Sequence, residues 1–443
     1  ALNFNVIDSP MGSGKTTALM NMVKADSAYY NAVSSKRFIF VSPYIDEVEH
    51  RISVEISCKY PIGKKYEHIK ELIGNGENIA CCHALFNMFD KEIFELIGNC
   101  GYVYDLIIDE QPAFIRNIVG AIKQWSSDED KQSRIEVFTN ADIRLIQENQ
   151  LIKLDIDTQR VTWNNDHWYN LDLEKREGVF SSFKFCADTS DLYSIKNSDS
   201  NRINTIIALT KKEVFELFND VWISSYMTKE SFVDYYCQLY DIDTNYYHID
   251  NRNIVKGYKF DYPKGLDRLC ICQNEKYNVD FALTKNWYRN EQQKHKQINN
   301  GDTVYFKKLA ECFHNFLRNE CKNTKANSYY WTTFKSNQQD IPKKYINSKS
   351  FIECIKKATN DKQDCLAVGY LCNRHINPNI ANFFAGKGIT FNNNQYALSE
   401  LLQFIYRSNL RVEDSDKKVH VFVPSERMRN LLAEFIKQAN NLA

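Results

Sequence analysis

Residues 4–17 read FNVIDSPMGSGKTT, and this stretch decides the fold. FNVID alternates like a strand, and ALMNMVKA (residues 18–25) carries apolar side chains at helical spacing. Between them, Ser9 to Thr16 fits the phosphate-loop pattern GxxxxGK[ST], with Ser9 where the first glycine usually stands. Gly12 and Gly14 let the backbone curl so that successive N–H groups face an anion at a helix N-terminus. Ser9, Pro10, Met11, Gly12, Ser13, Gly14, Lys15, Thr16 and Thr17 are therefore the expected nucleotide-binding residues. In this reading Lys15 neutralises the β- and γ-phosphates, and the Thr16 hydroxyl is a ligand of Mg²⁺. An ordinary glycine turn would not need a strand before it and a helix after it.

A companion signal lies about ninety residues on. LIIDE (106–110) places four apolar residues ahead of Asp109 and Glu110, as in a buried strand whose carboxylates emerge at its C-terminal tip, where open α/β sheets bind ligands. Asp109 is expected to hold Mg²⁺ through water, and Glu110 to polarise the water that attacks the γ-phosphate.

Apolar strand-like runs at FIFVSPY (38–44), NIACCHALF (78–86) and YDLIIDEQP (104–112) alternate with helical stretches, which predicts a parallel sheet covered on both faces. From about 122 to 204 the pattern turns polar, with a helix at NADIRLIQENQ and a hairpin pair, LIKLDI and RVTWNN; this reads as an insertion. Strands resume at INTIIAL and DVWISSYM. A second series begins near NYYHID and continues through LDRLCICQN, SYYWTTFKS, CLAVGYL and VHVFVPS, with helices between and after them. The expected architecture is α/β with two lobes, residues 1–240 and 241–443.

The 443 residues, 43% hydrophobic, suffice for two such cores, and 56 basic against 56 acidic residues give no global field for a polyanion. Nucleic-acid binding would have to come from a local groove. Thirteen cysteines without a repeated CxxC suit a reducing, cytoplasmic setting better than a disulfide framework or a zinc site. No run of 18 apolar residues suggests a membrane span, and the first residues lack the pattern of a secretion signal.

The order of these signals resembles the superfamily 2 helicases and translocases, the DEAD/DEAH-like group with its phage-encoded members. SPMGSGKTT looks like motif I, FVSPYIDEV like motif Ia, CCHALF like the next strand-contacting motif, LIIDEQP like motif II and VWISSYMT like motif III. WTTFKS, KKATND and QFIYRSNLR look like motifs IV, V and VI. Ser224-Ser225-Tyr226 stands where Ser-Ala-Thr is frequent, and the eight residues before Ser9 hold no adenine-reading glutamine motif of the DEAD-box kind.

The resemblance implies two RecA-like lobes with parallel sheets, ATP and Mg²⁺ at their interface, and movement along single-stranded nucleic acid, DNA favoured over RNA. Replication or recombination proteins of a phage in its host's cytoplasm are the implied partners. It implies that Ser42, Pro43, His83, Thr332, Thr333, Thr359 and Asn360, with Asp361 beside them, lie along the nucleic-acid track. In QFIYRSNLR, Gln403, Arg407 and Arg411 recur every four residues, so on a helix they form one polar stripe that would carry arginine fingers to the γ-phosphate. The aromatic clusters around Trp222, Tyr235, Tyr236, Tyr330 and Trp331 read as core rather than as a stacking platform. Two other functions use the same loop: a small-molecule kinase, and an ATP-driven switch that assembles partners without unwinding.

Overall fold

Val103–Asp109 is buried along almost its whole length, on both faces, which is the condition of a central strand in a parallel sheet. A computed structural model describes residues 2–25, 35–120, 124–126, 134–195, 203–297, 304–354 and 362–442. The chain divides into two compact units. The first comprises Ala1–Ser9, Gly14–Phe260 and Asn377–Phe391; the second comprises Pro10–Ser13, Asp261–Ile376 and Asn392–Ala443.

In the first unit the chain opens with β1 (Asn3–Asp8), β2 (Lys36–Ser42), β3 (Ile79–Cys82) and β4 (Val103–Asp109). There follow β5 (Ile115–Asn117), β6 (Gln124–Ser126), β7 (Arg134–Val137), β8 (Ile152–Leu154), β9 (Arg160–Trp163), β10 (Ser190–Ser194) and β11 (Ile206–Thr210). The last three are β12 (Val221–Ser225), β13 (Asp243–Asp250) and β14 (Asn253–Lys256). The main sheet has the order β14-β13-β1-β12-β4-β2-β3, parallel except that β14 runs back along β13. Strand alternation sends Ile7, Phe40 and Ile107 to one face, where Leu19 and Val23 of the helix Lys15–Ala25 cover them. Val6, Leu106, Ile108 and Ile223 go to the other, against Val233 and Tyr236. Asp105, buried within β4, is held by Lys36, Asn219 and the Asp220 N–H, as a buried carboxylate must be.

The second unit holds β15 (Leu269–Ile271), β16 (Tyr329–Thr332), β17 (Ala367–Tyr370) and β18 (Val419–Phe422) in the order β15-β18-β17-β16, all parallel. Gly369 on β17 leaves room for the Phe313 ring, which stacks on Phe422. Tyr235, Tyr236, Tyr330 and Trp331 are core residues, as their apolar settings predict.

Three expectations need correction. The NYYHID strand does not begin a second lobe: as β13 it pairs with β1, so the first unit's long segment runs to Phe260 rather than to residue 240. The insertion is also wider than 122–204, because β5 and β11 join β8, β9 and β10 in a separate antiparallel sheet of order β5-β11-β10-β9-β8. INTIIAL thus belongs to that sheet and not to the parallel one. Finally, Gln403, Arg407 and Arg411 do not share a helix. The helix Asn393–Ile405 ends before Arg407, its Phe404 and Ile405 carbonyls accepting from the Tyr330 hydroxyl at 2.9 Å and Ile405 also from Ser408, and Arg411 lies on the 3₁₀ turn Asn409–Arg411.

Candidate nucleotide-binding site

Between β1 and the helix Lys15–Ala25 the backbone turns through two left-handed glycines, Gly12 at φ +81° and Gly14 at φ +86°. A side chain at either position would strain the turn, which is why the motif places glycine there. The departure from glycine at Ser9 has a local use: its hydroxyl accepts from the Ile249 N–H of β13 at 2.8 Å, while its own N–H donates to the Ser225 carbonyl of β12 at 3.0 Å. The first residue of the loop is thereby pinned to both strands that flank β1. Lys15 is buried, and its Nζ donates to the Ser9 carbonyl at 2.9 Å. Ser13 Oγ is buried and has no hydrogen-bond partner among the described residues.

Asp109, at the tip of β4, is the point on which the site converges. Thr16 Oγ1 donates to its Oδ2 at 2.5 Å, and Ser224 Oγ at the end of β12 donates to its Oδ1 at 2.6 Å. His83, on the turn after β3, donates from Nε2 to the Asp109 carbonyl at 2.8 Å, which fixes the proton on that nitrogen. Glu110 follows in the left-handed region at φ +68°, an uncommon conformation for a residue with a side chain, and one that concentrates at functional sites. The Thr16 hydroxyl is hydrogen-bonded to the Asp109 carboxylate, so the pair fits a Mg²⁺ site in which the hydroxyl is a ligand and the carboxylate holds the ion through water. Among the described residues no three His, Cys, Asp or Glu side chains gather into a metal site of their own.

Two participants went unread in the sequence. Asp8, the last residue of β1, accepts from the Met227 N–H, the Thr228 N–H and the Thr228 hydroxyl at 2.9, 2.9 and 2.7 Å, fastening the segment after β12 beside the loop. Burial pushes its carboxyl above the ordinary range, against the pull of Thr228, Met227 and nearby Lys15. Its signal was a carboxylate directly ahead of Ser9 in a strand otherwise apolar at its end. Arg51 donates to Thr17 Oγ1 at 2.8 Å and pairs with Glu47 and Glu55, so the segment after β2 is tied to the first turn of the loop's helix. A lone arginine within a polar stretch carries no such signal.

The remaining expected residues are scattered. Ser42 is fully buried with its hydroxyl 3.5 Å from Glu47, and Pro43 is half-buried beside it. Thr332 and Thr333 are fully buried, so contact of their hydroxyls with a polynucleotide strand is corrected: strand β16 ends inside its unit. Thr359, Asn360 and Asp361 lie outside the described residues. Arg407 is also interior, its guanidinium donating to the Glu353 carbonyl at 3.4 Å and lying 5.0 Å over the Phe404 ring. That packing suits a structural arginine rather than a projecting finger. Arg411 is half-buried, and Gln403 donates to Ser399 on its own helix. Arg427 and Arg429 cap backbone carbonyls of Arg374, Val423 and Pro424.

The fold and site define an α/β protein with a phosphate loop on a mostly parallel sheet and a second parallel-sheet unit. Residues 265–436 match the family described as the YonV C-terminal Rossmann-like domain, so the second unit is Rossmann-like. Over 98% of this chain and 98% of the relative, the sequence is 28% identical to the SPbeta prophage-derived uncharacterized protein YonV of Bacillus subtilis (strain 168). That similarity supports a phage-derived origin. No helix among the described residues is long and apolar enough to cross a membrane.

Proposed function

We propose that this chain is a Mg²⁺-dependent ATPase of the superfamily 2 translocase type, stimulated by single-stranded nucleic acid. The observation that carries the reading is the chain of hydrogen bonds from Thr16 through Asp109 to Ser224. It links the three segments that resemble motifs I, II and III, and it does so at the C-terminal edge of a parallel sheet, where α/β proteins bind ligands. The alternation of β1, β12 and β4 in that sheet supports a RecA-like first unit, and the all-parallel second sheet is compatible with a lobe of the same kind.

In this proposal the loop N–H groups and Lys15 bind the phosphates, and Thr16 and Asp109 hold Mg²⁺. The ion, when bound, supplies charge stabilisation to the β- and γ-oxygens. Glu110 accepts the proton of the attacking water. Ser224 keeps Asp109 oriented and would sense changes at it. A part in phage replication or recombination belongs to the same proposal and rests on the prophage origin of the relative.

The test is the ATPase rate of the full chain with single-stranded DNA, RNA, duplex and no polynucleotide, each beside Lys15→Ala. Single strands are expected to raise the rate severalfold and Lys15→Ala to abolish it. A rate indifferent to every polynucleotide would sink the translocase reading; hydrolysis that survives Lys15→Ala would sink the site.

A further inference from the structure

We infer that Arg252 is a nucleotide-binding residue that grips the phosphate nearest the nucleoside. The inference rests on the ATP-binding reading of the loop. Asp250 of β13 pairs with Asn253 of β14, leaving Asn251 and Arg252 as a two-residue hairpin turn with φ of +48° and +65°. Such turns favour glycine or asparagine at both positions, because a side chain is strained in this region. The tip of the hairpin reaches the phosphate loop: a Cβ on Gly14 would meet Arg252 Cγ at 3.7 Å, so the arginine's aliphatic stem lies against the loop. Arg252 is exposed, and among the described residues its guanidinium has no carboxylate or carbonyl to bond. A cation without an internal partner, held beside a phosphate cradle at a conformational cost, is placed for an external anion.

Sheet order says which part of the nucleotide it meets. Thr16, Asp109 and Ser224 gather on the side of β1 occupied by β12 and β4, and this sets the metal-bound end of the triphosphate there. β13 flanks β1 on the opposite side, one strand spacing of about 4.8 Å away. Arg252 therefore meets the α-phosphate end, which ADP and ATP share, and contributes to binding rather than to γ-phosphate chemistry.

Nucleotide affinity of the full chain, titrated with fluorescent ADP and ATP analogues, tests this with Arg252→Gly and Arg252→Lys. Glycine removes the cation while easing the turn, so thermal stability should hold or rise. The expected result is about a tenfold loss of affinity in Arg252→Gly, equal for both nucleotides, partial recovery in Arg252→Lys and an unchanged kcat. Unchanged affinity, or a loss confined to ATP or to kcat, overturns the assignment while the loop reading stands. If the wild type binds neither nucleotide, or binds them no better than Lys15→Ala does, the loop reading and this inference fall together.

Discussion

Ser224 and Asp109, 115 positions apart in the sequence, are joined by a 2.6 Å hydrogen bond inside the protein, the serine hydroxyl donating to the carboxylate. Thr16 occupies the other carboxylate oxygen, so Asp109 bridges the loop's helix and the end of β12. The segment after β12 is in turn fastened to Asp8 through Met227 and Thr228. A path of hydrogen bonds thus runs from the loop's helix across β4 and β12 and back to β1.

Replacing Ser224 with alanine leaves Asp109 Oδ1 one donor short in a buried setting. The expected cost is about 1–3 kcal/mol, seen as a fall of several degrees in the first unit's melting transition. ATP hydrolysis should slow as well, since the carboxylate loses its fixed orientation. Calorimetry and a steady-state assay on one preparation check both; a variant as stable and as active as the wild type would remove Ser224 from the site.

Glu110→Gln preserves the shape of the side chain and removes its basicity. Nucleotide affinity should stay within about twofold of wild type, while the single-turnover rate falls by 10²–10⁴-fold, the usual contribution of a general base. Hydrolysis at the wild-type rate would reassign the base.

Gly369→Ala tests the packing of the second unit. The added methyl would lie 2.5 Å from the Phe313 ring, closer than real contacts allow, and that ring is already stacked on Phe422. Overpacking of this kind costs about 1–3 kcal/mol, and chemical denaturation should register it.

His375 supplies a pH dependence. Desolvation first, and then the positive charge of Arg427, hold its imidazole below the ordinary range, and the Asn393 side-chain amide, 2.8 Å from Nδ1, donates to the neutral ring. The unfolded chain therefore binds a proton more readily than the folded one. Stability contributed by the neutral ring is complete above about pH 6.5 and is lost as pH falls toward the depressed folded value. An NMR titration should find the His375 midpoint below 6.5, and Arg427→Gln should move it upward.

The phosphate loop and LIIDE were legible because each is local: a strand, a turn with obligatory glycines and a helix are written in consecutive residues. Every strand of the second unit was likewise legible as an apolar run. Pairing was not. The residues of β13 alternate as an edge strand of either unit would, and nothing within NYYHID says that its partner is β1. INTIIAL was legible as a strand but not by its partners: β11 gains its burial on both faces at an interior position of an antiparallel sheet. The four-residue spacing of Gln403, Arg407 and Arg411 suggested one helix, but the helix ends at Ile405, where the terminal carbonyls are satisfied by Tyr330, more than seventy residues upstream. Asp8 escaped notice for a similar reason, as its three donors arrive from residues 227 and 228.

The first unit closes only when Asn377–Phe391 returns to it. Phe383, Phe384 and Phe391 from that segment lie against Tyr193, Phe232 and Tyr235, and Ile380, Phe383 and Phe384 complete the same apolar cluster as β1 and β4. During synthesis, then, the first unit's opening segments leave the ribosome with a greasy flank bare, and it stays so until most of the chain has been translated. Expression of residues 1–260 alone would strand that flank permanently, leaving Phe232 and Tyr235 without the Phe391 ring that packs on them.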